Sequence, residues 1–397
     1  MIIIKNARLI NELTEGYNNK FADLLIEGNK IKHIEECGFD FNINDAKIID
    51  ANGKTLMPGL WDLHAHLYLQ SFTCNTELIL KDLGEELFDC YKYSNEYLKQ
   101  GYTTIRDVGA TMDTAIFLRN AINRGDLKGI RIIAAGIIIT PTETGNKTFP
   151  KLYAEVDSPD ELRKVARQEL QKGADFLKYM GTGAGTNDGG VMGQRIATVK
   201  ELETIQEIAN LKNTYVAVHC HGSEGIEKCI EVGIRTIEHA TMVSDKAIEM
   251  LKNNSKTFLI PTLSIVALML KEREKGLSKN VNDEKAELIY YGFKCLKKAY
   301  EAGLKLGWGT DIPMTGFIEH PGLEFIVRKE YLGISNIDML LQATKNSAEI
   351  AGYGEELGTI KVGKIADLII VDGNPDEDIK VMCKQPLHVI RDGEKLL

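Results

Sequence analysis

The sequence predicts an α/β fold: a (β/α)8 barrel carrying a small sheet domain built from both chain ends. Three observations support it. Short apolar runs alternate with helical patterns through the middle of the chain, the text of repeated β-α units. Both ends read instead as closely spaced strands and turns. The length, 397 residues, suits a barrel of about 250 residues with a smaller companion.

At the N-terminal end, strands are expected at 1–4, 23–27 and 31–35, with Gly28-Asn29 as a hairpin turn. At the C-terminal end, 358–364, 366–371 and 388–391 read the same way, with a turn at Asp392-Gly393. The sheet domain should therefore span 1–57 and 358–397, and the barrel 58–357. Barrel strands are expected near 60–66, 102–107, 131–139, 175–180, 215–219, 235–239, 257–261 and 305–310. Helical patterns cover 114–123, 160–172, 200–212, 224–232, 245–252, 284–303 and 335–350. Ser158-Pro-Asp-Glu ahead of Leu162 is a helix start, with proline at an early position and acids in the first turn.

Apolar residues make up 44% and charged residues 26%, the balance of a soluble globular protein. The net charge of −9, with no block of Lys and Arg, argues against a nucleic-acid partner. No apolar run approaches the ~20 residues of a membrane span. The N-terminal Met-Ile-Ile-Ile-Lys-Asn-Ala-Arg breaks into charge too early for a signal peptide, so the cytoplasm is the expected location. Cysteines at 37, 74, 90, 220, 229, 295 and 383 form no C-x-x-C pair, and their odd count speaks against a disulfide framework. The expected partner is a small-molecule substrate; a homo-oligomer is compatible with the sequence, which does not set the state.

The chemistry begins at Leu60-Trp-Asp-Leu-His64-Ala-His66. Strand residues two apart project to one face, so both imidazoles can reach one ion. Lys178, His219, His239 and Asp311 then each close an expected barrel strand, at the C-terminal end where barrel enzymes place catalytic groups. Any one of them alone has a structural explanation; four in strand order after an H-x-H do not share one. Lys178 is the odd member, because a protonated ammonium cannot ligate a cation. Reaction of its amine with carbon dioxide would give an anionic carbamate able to bridge two metals.

Met57-Pro-Gly-Leu-Trp-Asp-Leu-His-Ala-His, Gly101-Tyr-Thr-Thr-Ile-Arg-Asp, Val216-Ala-Val-His-Cys-His-Gly, Ile237-Glu-His, Gly309-Thr-Asp and Leu357-Gly-Thr-Ile-Lys-Val-Gly-Lys-Ile-Ala-Asp-Leu resemble the amidohydrolase superfamily. More narrowly, they are similar to its branch of prolidase-like and Xaa-Arg/Lys-type dipeptidases and imidazolonepropionase relatives. The resemblance spans nearly the whole chain. It implies a (β/α)8 barrel with a β-sandwich from both termini, and two divalent cations, with zinc the expected ion. It makes His64, His66 and Asp311 ligands of the more buried metal, His219 and His239 ligands of the second, and carboxylated Lys178 the bridge. His221 falls where relatives aim His or Tyr at the substrate carbonyl. Two metals lower the pKa of a shared water to give hydroxide, His221 helps polarise the carbonyl, and Asp311 carries the proton to the leaving nitrogen.

The chain departs from that pattern at Thr140-Pro-Thr-Glu-Thr-Gly-Asn-Lys-Thr, where many dipeptidase-like relatives have a Gly-Gly-His-type stretch. That puts specificity in doubt and leaves the ligand set alone. The expected reaction is cleavage of an amide or peptide C–N bond in a small carboxylate-bearing substrate, a dipeptide or an N-acyl amino acid. A cyclic amide such as a lactam or imidazolone would need the same metals, and a non-catalytic barrel scaffold would need none. Arg195 and Arg106 are candidate carboxylate partners, each with a structural ion pair as its alternative. Gly181-Thr-Gly183-Ala-Gly185 fails the dinucleotide spacing because position 186 is Thr. His33, His320 and His388 have structural readings, as does Cys220, which alternates to the other strand face from its histidine neighbours.

Overall fold

The computed structural model describes residues 1–70, 81–187, 189–276 and 281–397; Cys74, and Asp188 in the glycine-rich loop, lie outside them. The chain is a mixed α/β structure in which parallel strands alternate with helices. No helix among the described residues is long and apolar enough to cross a membrane.

Strands from both ends share one eight-stranded sheet. Its order runs Glu394–Lys395, His388–Arg391, Leu368–Val371, Thr55–Pro58, Ile2–Arg8, Phe21–Glu27 and Lys30–Glu35, with Lys47–Asp50 also paired to Ile2–Arg8. The central join is antiparallel, Leu368 opposite Pro58 and Val371 opposite Thr55. Alternation along these strands divides their side chains between two cores. Leu56, Leu368 and Ile370 pack with Ile4, Leu24 and Ile26, while Met57, Ile369 and Val371 join the large core of the middle segment. The sheet is thus buried on both faces at this join. The expected strand over 358–364 is not continuous. Gly358 and Gly363 take left-handed φ of 88° and 91°, and the segment makes only an isolated bridge, Ile360 to Thr14.

The middle segment holds two parallel sheets. One is ordered Tyr153–Glu155, Ile138–Thr140, Leu177–Met180, Val216–Cys220, Thr236–His239, Phe258–Ile260, and the other Leu60–Ala65, Tyr102–Asp107, Arg131–Ala134. The strand expected over 131–139 is two strands, broken where Gly136 turns to φ 77°. The strand expected over 305–310 forms no continuous ladder. Instead Leu306 and Gly309 bridge Leu259 and Thr262, while the Trp308 carbonyl accepts from Leu63 N at 2.7 Å and Asp311 N donates to the His64 carbonyl at 2.8 Å. The segment therefore lies between the Phe258–Ile260 and Leu60–Ala65 strands.

Helices follow the strands largely as expected. Pro159–Lys172 begins where Ser158 accepts from Glu161 N and stops at Gly173, whose φ is 103°. The helix expected over 335–350 is Asn336–Leu341 and Ser347–Ala351 joined through a wide π turn at Gln342–Asn346. Two long helices were not anticipated, Leu83–Lys99 and Leu263–Glu274.

Candidate active site

Five histidines, one aspartate and one lysine meet where the parallel strands end. His64 and His66 come from Leu60–Ala65 and the residue after it, Lys178 from Leu177–Met180, His219 from Val216–Cys220 with His221 just beyond, and His239 from Thr236–His239. The structure thus brings together all seven residues singled out in the sequence. Imidazole centroids of His219 and His239 are 4.5 Å apart, those of His64 and His239 4.6 Å, and those of His221 and His239 4.7 Å. Asp311 reaches into the same space: its Oδ1 lies 3.6 Å from His64 Nε2 and 3.7 Å from His66 Nε2, and its Oδ2 lies 3.9 Å from His239 Nδ1.

Two sets of donor atoms are close enough to share an ion, His64 with His239 and Asp311, and His219 with His221 and His239. His239 belongs to both, and His221 stands as near as His219, which differs from the partition implied by resemblance. Two of these residues hold unusual backbone: φ is 66° at His239 and 51° at Asp311. Left-handed φ is uncommon outside glycine and persists where surrounding structure imposes it. At His239 the imposing bonds come from the next residue, whose amide donates to the carbonyls of Glu238 and Cys220 at 2.8 and 3.1 Å. At Asp311 it is the bond from its own amide to His64.

Four of the five imidazoles are aimed by a hydrogen-bond partner on one ring nitrogen. His64 Nδ1 sits 2.8 Å from Glu238 Oε2, His66 Nδ1 2.7 Å from the Gly109 carbonyl, His221 Nδ1 2.7 Å from Thr241 Oγ1 and His239 Nδ1 2.7 Å from Thr262 Oγ1. Such partners fix ring orientation in ligating histidines. Asp62 ties the first strand to the last segment, accepting from His64 N at 3.0 Å and from Thr310 Oγ1 at 2.6 Å. Sequence reading missed Glu238, Thr241, Thr262 and Asp62 in these roles. Only Asp62 and Glu238 left a signal, an acid two residues before His64 and one beside His239.

Burial keeps the imidazoles neutral, which is the ligating form. It pushes His66 down to about 4, with the Lys178 ammonium adding to the effect, and His221 down to about 3, again with Lys178. His64, His219 and His239 are held well below the usual range by burial and by each other or Lys178. Burial also lowers Lys178, opposed by Glu238 and Asp311, and raises Asp311, opposed by Lys178. Two observations fit a metal. His219 Nε2 is a buried polar atom without a hydrogen-bond partner, costly unless something coordinates it. Lys178 is 2% exposed, yet it forms no ion pair among the described residues, an arrangement that disfavours an ammonium.

The cluster opens into a cavity with two lobes. One, of about 580 Å³, is walled mainly by apolar side chains of Leu263–Glu274 and Asp283–Glu301. The other, of about 510 Å³, carries Tyr68, Tyr153 and Asn187 with Phe149 and Leu152. Neither arginine proposed for a substrate carboxylate lines either lobe. Arg106 is fully buried and donates to Glu238 Oε1 at 2.8 Å, and Arg195 pairs with Glu224 at 2.9 Å. Both take the structural alternative. His320 follows the Met314–Glu319 helix outside the cluster, His388 begins a strand of the terminal sheet, and His33 pairs with Glu35 at 3.7 Å. Cys220 is buried with its thiol 3.7 Å from the Gly222 carbonyl.

Close approach around His64 yields a prediction. A Cβ on Gly309 would lie 2.9 Å from both His64 Cβ and Ile260 Cγ2. Gly309→Ala should therefore cost about 1–3 kcal/mol by overpacking and lower metal retention by displacing His64. Thermal unfolding with metal analysis checks it; wild-type values for both would refute the close packing.

A family model described as the amidohydrolase family matches residues 55–396. Ochratoxinase from Aspergillus niger is 27% identical over 371 residues, covering 85% of this chain and 75% of that protein. A solved Xaa-Pro dipeptidase with bound methionine in its active site is 28% identical, covers 99% of each chain and superposes with a TM-score of 0.89. A prolidase complexed with N-methylphosphonate-L-proline is 27% identical, covers 100% of this chain and 99% of its own, and gives a TM-score of 0.86. The chain belongs to the amidohydrolase family. It is a hydrolase, and its family generally uses metal ions.

Proposed function

We propose that this member of the amidohydrolase family is a binuclear metal hydrolase cleaving an amide or peptide C–N bond in a small substrate of dipeptide or N-acyl amino acid type. The observation that carries this reading is the convergence of neutral imidazoles, Asp311 and a buried Lys178 without an ion pair around His219 Nε2, which has no hydrogen-bond partner among the described residues. The likeness to an Xaa-Pro dipeptidase and a prolidase supports the substrate class. In the same reading the two parallel sheets and the 306–311 segment are arcs of one (β/α)8 barrel, residues 58–357. Residues 1–57 and 358–397 form the β-sandwich companion.

His64, His66, Lys178, His219, His239 and Asp311 would hold two divalent cations, with Lys178 as a carbamate formed from its amine and carbon dioxide with loss of one proton. Nitrogen and carboxylate donors suit zinc. Bound there, such cations supply Lewis acidity to the carbonyl and acidity to a water. The chain's own groups do the rest. Glu238, Thr241 and Thr262 hold the rings of His64, His221 and His239 in place. His221 faces the cavity and donates towards the developing oxyanion. Asp311 accepts the proton of the attacking water and passes it to the leaving nitrogen.

Purification with zinc and bicarbonate should give about two metals per chain and release of free amino acid from a dipeptide and N-acyl amino acid library. Lys178→Met should lower the metal content and abolish turnover. Two metals with hydrolysis of cyclic amides alone would move the substrate class, and absence of metal after reconstitution would refute the centre and favour a scaffold.

A further inference from the structure

The two lobes differ in what they offer a substrate. The apolar one is lined by Leu263, Ile265, Val266, Met269, Phe293 and Leu296, among other apolar groups, and among the described residues its only carboxylate is Asp311, which belongs to the centre. No described Lys, Arg or Glu lines it. Phe293 is fixed at the back by stacking on Tyr331, centroids 4.2 Å apart at 22°, so this wall is preformed. In the other lobe the ionisable acid and amine among the described lining residues are Asp311 and Lys178, both assigned to the centre, and Tyr68, Tyr153, Thr186 and Asn187 add neutral polar groups. Burial keeps the Tyr153 phenol protonated, pushing it up to about 12, and Asn187 Nδ2 donates to its oxygen at 3.3 Å.

An ionised side chain placed in the apolar lobe would lose its water without gaining a counter-charge from the described lining residues, which is strongly unfavourable. An apolar group gains from the same transfer, and an apolar cavity of this kind does not hold water well. From this lining we infer that the enzyme selects substrates bearing a bulky apolar or aromatic side group, seated between Leu263–Glu274 and Asp283–Glu301, and rejects lysine-, arginine- and glutamate-like ones. The substrate's polar end then meets the hydroxyl and amide donors of Tyr68, Tyr153 and Asn187. The inference rests on the amide-hydrolase reading and sharpens it. It sets this chain apart from the Xaa-Arg/Lys specificity within the resembling branch, since a cationic side chain would need an acid that the lobe lacks. Val266 marks the entrance: it lines the lobe yet stays half-exposed, so a charge introduced there can reach water.

Metal-loaded enzyme should be assayed on Gly-X and X-Gly dipeptides and N-acetyl-X, where X is Phe, Leu, Met, Gly, Glu or Lys. In at least one series, Phe, Leu or Met should exceed Gly in kcat/KM by about tenfold or more, the scale of one well-seated apolar group. Glu and Lys should fall below Gly. Val266→Arg should erase the apolar preference and raise turnover of X = Glu, with metal content and thermal midpoint as folding controls. Charged X cleaved as fast as Phe by the wild-type enzyme would overturn the inference and leave the hydrolase reading standing. Should no amide be cleaved, the hydrolase reading fails and binding decides the lobe separately. Phenylacetohydroxamic acid should then bind at least tenfold tighter than the monohydroxamate of succinic acid; equal binding, or binding of neither, overturns the inference.

Discussion

Asp311→Asn is expected to lower kcat by about 10²–10⁴-fold, the scale of general acid–base catalysis, with a smaller loss of metal. The side chain is placed by a left-handed residue, φ 51°, whose amide donates to the His64 carbonyl at 2.8 Å. Its two oxygens are directed to different histidines, Oδ1 to His64 and His66 and Oδ2 to His239. Asparagine keeps the size and tolerates the backbone, so the fold should hold. What it loses is one anionic oxygen, and with it the capacity to take a proton and return it. Single-turnover rates across pH, with metal measured in the same samples, separate the proton role from the ligand role. Near-normal turnover with full metal would remove Asp311 from the chemistry.

Arg106→Met should cost about 3–5 kcal/mol of stability, the penalty for stranding one member of a buried ion pair. Arg106 lies beside the histidine cluster, fully buried, donating to the Leu63 carbonyl at 2.6 Å, to Thr236 Oγ1 at 3.0 Å and to Glu238 Oε1 at 2.8 Å. Its guanidinium lies 5.3 Å from the centroid of Phe176. Without it Glu238 keeps, among the described residues, only Thr236 and His64, and its carboxylate is left buried without a cation, so its position is no longer held. His64 then loses the acceptor that aims it, and metal affinity should fall by about 10–100-fold. Denaturant melts of Arg106→Met, Glu238→Gln and the double variant test the coupling. If the single losses add to the double, the pair is not the unit described here.

The histidine-rich cluster was legible because it obeys strand geometry. His64, His66, His219 and His239 sit near or just past the ends of strands whose apolar runs stand out in the sequence, Lys178 sits inside its strand, two residues before the end expected of it, and order along the chain became proximity in space. The residues that aim them were harder to see, since Thr241 and Thr262 lie beyond strand ends and are ordinary loop threonines until their partners are known. Left-handed backbone at His239 and Asp311 leaves no trace in composition. Leu83–Lys99 escaped notice because its inward face is made of Cys90, Tyr93 and Tyr97 with Glu86 and Ser94, not an aliphatic stripe. Leu263–Glu274 escaped for the opposite reason: its first two turns are apolar on every side, so no period emerges. That helix walls the apolar lobe, so the part of the molecule on which the proposed specificity rests was the least readable.

The terminal sheet carries a consequence for the order in which the molecule is made. Thr55–Pro58 pairs with Leu368–Val371, its neighbour in the sheet from roughly 300 residues further along. At a synthesis rate of about 5–20 residues per second, the first strands wait some 15–60 s for the segment that completes their sheet. Through that interval Met57 and Thr55 present an open edge of the kind that pairs promiscuously. The histidines of the Leu60–Ala65 strand and the residue after it, only a few residues away, cannot be locked against Asp311 until the 306–311 segment has arrived. Assembly of the histidine cluster is thus a late event in the life of each chain, gated by the 306–311 segment, and completion of the terminal sheet is later still, gated by Leu368–Val371.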